Sequence, residues 1–297
     1  MILRTFGFLL RRSLAAAFDD GCFGIAKGAA YSALLSFFPI LTSAAALLIQ
    51  TRAGLVSRAM ERWLSEIVPP GTEDLVIRQF QAAGRRPLAL LIVAGAVSLW
   101  AASGVIKSLM EGFHAAYRVP RNRGFLRQSL VAISLVLLCA APLVGATLLI
   151  LFGGEAERTM WNWMGAGAPW RPPVWMWREL SLVARYALAL GATVIVAGCL
   201  YYFGPNRRQR WRRVWPGALL ATALWFFATS GFGWYVRHMA SYNVMYGSVG
   251  AGIALLVWMY LLAAIALVGC EFNAACERGA GPEPNATNHN QPVGDTF

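Results

Sequence analysis

Residues able to do acid–base, nucleophilic or metal chemistry are few in this sequence. Histidine occurs only at positions 114, 238 and 289, and the five cysteines, Cys22, Cys139, Cys199, Cys270 and Cys276, form no CxxC pair. A hydrolytic or RNA-cleaving centre needs a general acid and a general base, most often histidine or paired carboxylates, or a metal cluster that polarises water. No HxHxDH, HExxH, GxSxG, Walker or GxGxxG pattern is present, so the metal-ligating and phosphate-cradling geometries tied to those spacings are missing. Asp19-Asp20 and Glu73-Asp74 are adjacent acids. Neighbours on a helix point apart, and each pair reads as a cap or a solvated face. The expectation is a protein that is not an enzyme and holds neither metal nor cofactor.

Polar groups set among apolar residues are better pointers, because an ionisable side chain at the centre of a membrane helix costs roughly 2.5 to 3.5 kcal/mol on insertion scales. Lys107 and Glu111 follow Trp100-Ala-Ala-Ser-Gly104 at a spacing that predicts pairing along one helix face. Arg185 opens an apolar stretch and snorkels, and Glu271 closes another, where Arg127 or Arg213 across the bundle would neutralise it. Tyr31, Ser36 and Pro39 give one stretch a hydroxyl-bearing, kinked face of the kind that lines transporter cavities. Ser241-Tyr-Asn-Val-Met-Tyr-Gly247 opens the last apolar stretch with polar side chains. Tyr242, Asn243 and Tyr246 there either cap and anchor a helix or, with about ten residues beyond one span, dip between helices and bind an anionic group. Candidate substrate-binding residues are therefore Tyr31, Ser36, Pro39, Lys107, Glu111, Tyr242, Asn243 and Tyr246. The turn Pro205-Asn-Arg-Arg-Gln-Arg-Trp-Arg-Arg213 interleaves arginines with tryptophan, and Arg207, Arg208 and Arg210 are candidate ligands for phosphate-bearing headgroups.

The elements that must position these residues follow from composition. The 297 residues are 58% hydrophobic and only 13% charged, with a mean hydropathy of +0.52. Soluble domains carry about a quarter charged residues. Spans are predicted over about 29–50, 88–106, 129–153, 183–203, 214–236 and 247–270, each long enough to cross a hydrocarbon core of about 30 Å. Such a core supplies no hydrogen-bond partners, so the spans are helices. The fold class is all-α: a polytopic integral membrane protein of six transmembrane helices with an N-terminal amphipathic helix, one domain over 1–278, and a disordered tail over 279–297, rich in Gly, Pro and Asn. The mixed start Met1-Ile-Leu-Arg-Thr-Phe-Gly-Phe-Leu-Leu-Arg-Arg12 lacks an apolar run after its arginines, so it reads as an uncleaved surface helix rather than a signal peptide.

The net charge of +12 would suggest nucleic acid in a soluble protein. Here the arginines border apolar spans, and about 15 of the 26 Lys+Arg fall in the four segments that share one side. By the positive-inside rule both termini face the cytoplasm. Membrane lipids, preferentially anionic, are the expected partners, and nucleic acid is not. Whether copies self-associate is not encoded in any feature of the sequence. Gly217 with Ala221, and Ser248 with Gly252, supply small surfaces for close helix packing.

Four stretches, taken in order, resemble the YihY/virulence factor BrkB family. They are Ala29-Ala-Tyr-Ser-Ala-Leu-Leu-Ser-Phe-Phe-Pro39; Trp100-Ala-Ala-Ser-Gly104 leading to Tyr117-Arg-Val-Pro120 and Gly124-Phe-Leu-Arg127; Tyr202-Phe-Gly-Pro-Asn-Arg207 leading to Trp215-Pro-Gly-Ala218; and Ala240-Ser-Tyr-Asn-Val-Met-Tyr-Gly-Ser-Val-Gly250, ending near Glu271-Phe-Asn273. The resemblance implies a six-helix bacterial inner-membrane protein. It also implies a connection to envelope lipid or lipopolysaccharide handling, beside an old and mistaken ribonuclease BN label. Two functional classes follow: transport or translocation of a lipid or other amphiphilic envelope component, or a non-catalytic scaffold for envelope assembly.

Overall fold

The structure, a computed structural model, describes residues 2–50, 88–119, 124–164, 174–207, 209–238 and 241–280. Among the described residues the regular structure is helical: α1 (Ile2–Asp19), α2 (Cys22–Gln50), α3 (Leu88–Ala116), α4 (Phe125–Met164), α5 (Val174–Phe203), a 3₁₀ turn (Trp211–Arg213), α6 (Trp215–His238) and α7 (Ser241–Ala280). Six of them, α2 to α7, are long and apolar enough to cross a membrane. The all-α polytopic class expected from composition is therefore what the chain adopts.

The helices outrun the predicted spans, α3 continuing to Ala116, α4 to Met164 and α7 to Ala280, and α5 beginning at Val174, and two helix starts also move. The first membrane helix starts at Cys22 rather than near residue 29, directly after Gly21, whose φ of +68° breaks the chain between α1 and α2. Left-handed φ costs glycine nothing, which is why a single residue suffices for the turn. The last helix starts at Ser241, so the Ser241–Gly247 segment expected in a loop or at the interface is helical. Asn243 consequently stands inside the helix instead of capping it. Helical backbone satisfies its own hydrogen bonds whatever side chains it carries, and one interior glycine costs only about 1 kcal/mol. The side chains of Tyr242, Asn243 and Tyr246 lie outside the described part of α7, as do Arg208 and the tail beyond residue 280.

The helices close into a ring in which α2 packs on α3, α3 on α4, α4 on α5, α5 on α6, α6 on α7 and α7 back on α2. Helix α7 also touches α3 and α1 and is the most buried of the membrane helices. Pro39 and Pro142 lie inside α2 and α4. Near Pro39, the Ser43 hydroxyl donates to the Pro39 carbonyl (2.8 Å) and meets Ser98 Oγ of α3 at 3.2 Å, joining α2 to α3. Helix α1 lies on α7, with Ser13 and Ala17 buried and Phe6 against Phe272 at 5.6 Å, while Arg11 and Arg12 face outward.

Burial is lopsided along the ring. On α5, positions 180, 183, 187, 190, 194, 198 and 201 fall on one face by their three- and four-residue spacing. Val194, Gly198 and Tyr201 on that face are buried, whereas Leu180, Val183 and Leu190 are 57%, 65% and 48% exposed. The same switch occurs on α4, where Ala132, Leu135 and Cys139 are buried and Leu143, next on that face, is exposed. The ring is sealed at the end where α2, α4 and α6 begin and α3, α5 and α7 finish, while toward the other end these faces of α4 and α5 are uncovered among the described residues.

Candidate functional site

The sealed end combines an apolar plug with a polar layer. Phe113 of α3 meets Tyr201 of α5 edge-on, ring centroids 5.6 Å apart. The Tyr201 hydroxyl donates to the Ala266 carbonyl of α7 at 2.7 Å, and both aromatic rings are essentially inaccessible. A phenol suits this position because its body is apolar and its tip can satisfy a backbone carbonyl.

Close approach of α6 and α7 is made by glycine. A Cβ at Gly217 would collide with the Gly269 carbonyl and the Asn273 carboxamide, and one at Gly269 would strike the Tyr201 hydroxyl and Ala221. Small residues bring helix backbones together in this way, in agreement with the packing role expected of Gly217 and Ala221. Asn273, 0% exposed, uses the proximity: its Oδ1 accepts the Gly217 N–H at 2.7 Å and its Nδ2 donates to the Val214 carbonyl at 3.1 Å.

Beside it, Glu271 is also 0% exposed. It accepts from Arg278 Nη2 at 3.1 Å and from the Cys22 thiol at 3.8 Å, with the Asp20 carboxyl adjacent. The cation facing Glu271 thus comes from its own helix, two turns on, and not from Arg127 or Arg213 as the sequence suggested. Asp20, expected on a solvated face, is half-buried at this junction.

One turn beyond Asn273, Glu277 forms an ion pair with Arg207 of the α5–α6 turn. The Arg207 guanidinium lies 4.0 Å from the ring centroid of Tyr117, which follows the last residue of α3. Burial pushes the Tyr117 phenol well above its ordinary value, against the opposing pull of Arg207, so the hydroxyl stays neutral. In the same layer Gln209 Nε2 donates to the carbonyls of Tyr201 and Tyr202, the latter at 3.1 Å, covering carbonyls left open at the end of α5. Arg118, next to Tyr117, has φ +53°, an uncommon conformation for a residue with a Cβ.

The sequence-predicted substrate residues whose side chains are described are not gathered into one place. Tyr31 is 61% exposed on the outer face of α2, roughly 140° around the helix from Ser36. Ser36 is buried and donates to the Ala33 carbonyl of its own helix at 2.9 Å. Lys107 and Glu111 form no ion pair among the described residues; Lys107 Nζ instead sits 5.4 Å from the Phe125 ring centroid, where a cation gains from the π face. Of the three arginines assigned to headgroups, Arg207 is engaged internally, Arg208 is outside the described residues, and Arg210 is exposed together with Arg212 and Arg213. The sequence reasoning missed Tyr201, Gln209 and Glu277. Asn273 appeared only as the end of a motif, although a lone carboxamide in an apolar helix was itself a signal.

Comparison with known proteins fits this architecture. The chain is 30% identical over 246 residues to the ribonuclease-like protein YfkH of Bacillus subtilis, covering 82% of this chain and 86% of that relative. It is 28% identical over 255 residues to a UPF0761 membrane protein of Chromobacterium violaceum, and 29% identical over 275 residues to one of Alkalilimnicola ehrlichii. The matched regions span 56% and 55% of those two relatives, so the chain corresponds to little more than half of each. No solved structure matches. The sequence profile described as Virulence factor BrkB matches residues 14–293, nearly the whole chain, and the protein is a membrane protein belonging to that family.

Proposed function

We propose that the protein moves an amphiphile, a lipid or lipid-linked glycan, across the bacterial inner membrane, with both termini in the cytoplasm and no catalytic step of its own. The observation that carries this reading is the α5 face that is buried at Val194, Gly198 and Tyr201 yet exposed at Leu180, Val183 and Leu190. A ring sealed at one end, with faces of α4 and α5 uncovered toward the other, is one of the two states that a translocating bundle must alternate between. An apolar inner stripe suits an acyl chain, and the exposed Arg210, Arg212 and Arg213 beside the half-exposed Trp211 suit anionic headgroups. The term ribonuclease belongs to the name of the Bacillus relative, and this reading assigns no cleavage step to the chain. In this reading nucleic acid is not a partner.

Reconstitution into liposomes with a panel of fluorescent lipids tests the proposal. Protein-dependent movement of one lipid class between leaflets is the expected result. Movement of none, from protein shown to be folded and inserted, would favour the envelope scaffold, for which the fixed α6–α7 contact is sufficient.

A further inference from the structure

Two polar contacts one turn apart on α7 are built in opposite ways. Asn273 has both ends of its carboxamide satisfied by the α6 backbone. Glu277 keeps Oε1 buried without a hydrogen-bond partner among the described residues, and so do its neighbours in the layer: Nε of Arg207, the hydroxyl of Tyr117 and Oε1 of Gln209. The layer also reaches solvent, the Arg207 and Glu277 side chains being 25% and 14% exposed, so water can take over from either partner of the pair. Asn273, closed off from solvent, suits a permanent staple, and a pair that water can take over suits a contact that breaks and re-forms.

We infer that the Arg207–Glu277 pair stacked on Tyr117 is a releasable latch. It closes the sealed end by tying the end of α3, the α5–α6 turn and the end of α7 together, and it parts when the interior becomes accessible from that side. This inference rests on the translocation reading and supplies its missing movement. The Asn273 clasp keeps α6 and α7 together, so the movement is of α5 and the turn that carries Arg207, away from Glu277 of α7 and Tyr117 beyond α3. The Phe113–Tyr201 contact, bridging α3 and α5, is the apolar plug that parts with it. Arg118 takes its left-handed conformation in the cap that ends α3 at this layer, where its N–H bonds the Ala115 carbonyl and the Val119 N–H bonds the His114 carbonyl, both at 3.0 Å.

Cys270, wholly buried in the core beneath this layer, is a native reporter. Full-length protein in liposomes is treated with a small charged methanethiosulfonate reagent, and modification of each cysteine is followed by peptide mass spectrometry. Arg207→Gln and Glu277→Gln should each raise the rate at Cys270 by about tenfold while leaving the rate at Cys139 unchanged. Cys139 is buried on α4 and controls for general unfolding. The exchanged pair, Arg207→Glu with Glu277→Arg, should recover much of the protection, and Tyr117→Phe, which keeps the ring and removes the partnerless hydroxyl, should protect at least as well as wild type. Unchanged Cys270 rates in both single variants, an equal rise at Cys139, or no recovery in the exchanged pair would each overturn the latch. Lipid movement measured in the same vesicles keeps the two ideas apart: a responsive Cys270 without lipid movement removes the substrate and leaves the latch, and lipid movement with an unresponsive Cys270 does the reverse.

Discussion

Asn273 of α7 and Gly217 of α6 define each other's environment. The glycine lacks a side chain where the carboxamide stands, and the carboxamide accepts the glycine's N–H at 2.7 Å. Replacing Asn273 by alanine would strand that N–H, at about 1 to 3 kcal/mol for a buried group left unpaired, while the Val214 carbonyl keeps the Ala218 N–H at 3.1 Å. Thermal unfolding in detergent should show a loss of several degrees, and a melting temperature equal to wild type would show that water or a rearranged neighbour replaces the clasp.

Glycine positions divide into crowded and empty ones. Gly217→Ala and Gly269→Ala must push α6 and α7 apart and should cost about 1 to 3 kcal/mol through overpacking. Gly252→Ala meets nothing within 4 Å and should be neutral or stabilising by up to about 1 kcal/mol, through reduced freedom of the unfolded chain. Similar melting temperatures for all three variants would contradict the close crossing.

Exposed and engaged arginines should separate in lipid binding. Each basic residue near an anionic surface contributes about 1 kcal/mol, so changing Arg210, Arg212 and Arg213 together to Gln should weaken anionic-lipid retention by roughly a hundredfold, read by native mass spectrometry against zwitterionic lipid. Arg207→Gln should leave retention near wild type, because that guanidinium already faces Glu277 and Tyr117. The reverse pattern would restore the assignment made from sequence.

Orientation is open to a direct measurement. A periplasm-active reporter fused after Gly165 should be active and one fused after Gln209 silent. Opposite signals would put the latch and the exposed arginines on the outer side of the membrane.

The first two turns of α7 carry Tyr242, Asn243 and Tyr246. If they contact substrate, Asn243→Ala and Tyr246→Phe should abolish lipid movement in vesicles with unchanged melting temperature. Parallel loss of stability and movement would assign them to holding the helix.

Six membrane helices were legible because a run of about 20 apolar residues has one solution in lipid. Gly217 and Ala221 were legible as packing residues for a similar reason: small side chains in a membrane helix have one principal use. The polar layer was not legible. Tyr117, Arg207 and Glu277 are separated by tens of residues, and nothing in local spacing says that three helix ends meet. Lys107 shows the opposite failure, since its i,i+4 spacing to Glu111 permitted a pair that the Phe125 ring displaced.

The most buried membrane helix is also the last in the chain. Cys22 and Glu271, in contact, are separated by 249 positions, and α1 rests on residues near the end of α7. A ribosome delivers α2 to α6 into the membrane before the helix that closes their ring exists, so insertion and packing are separate events, and closure of such distant contacts comes late. Until α7 arrives, Gly217 has no carboxamide to meet, Cys22 no carboxylate, and α1 no surface to lie on. A nascent chain stalled before residue 241 would hold five membrane helices and lack every contact that α7 brings to the sealed end.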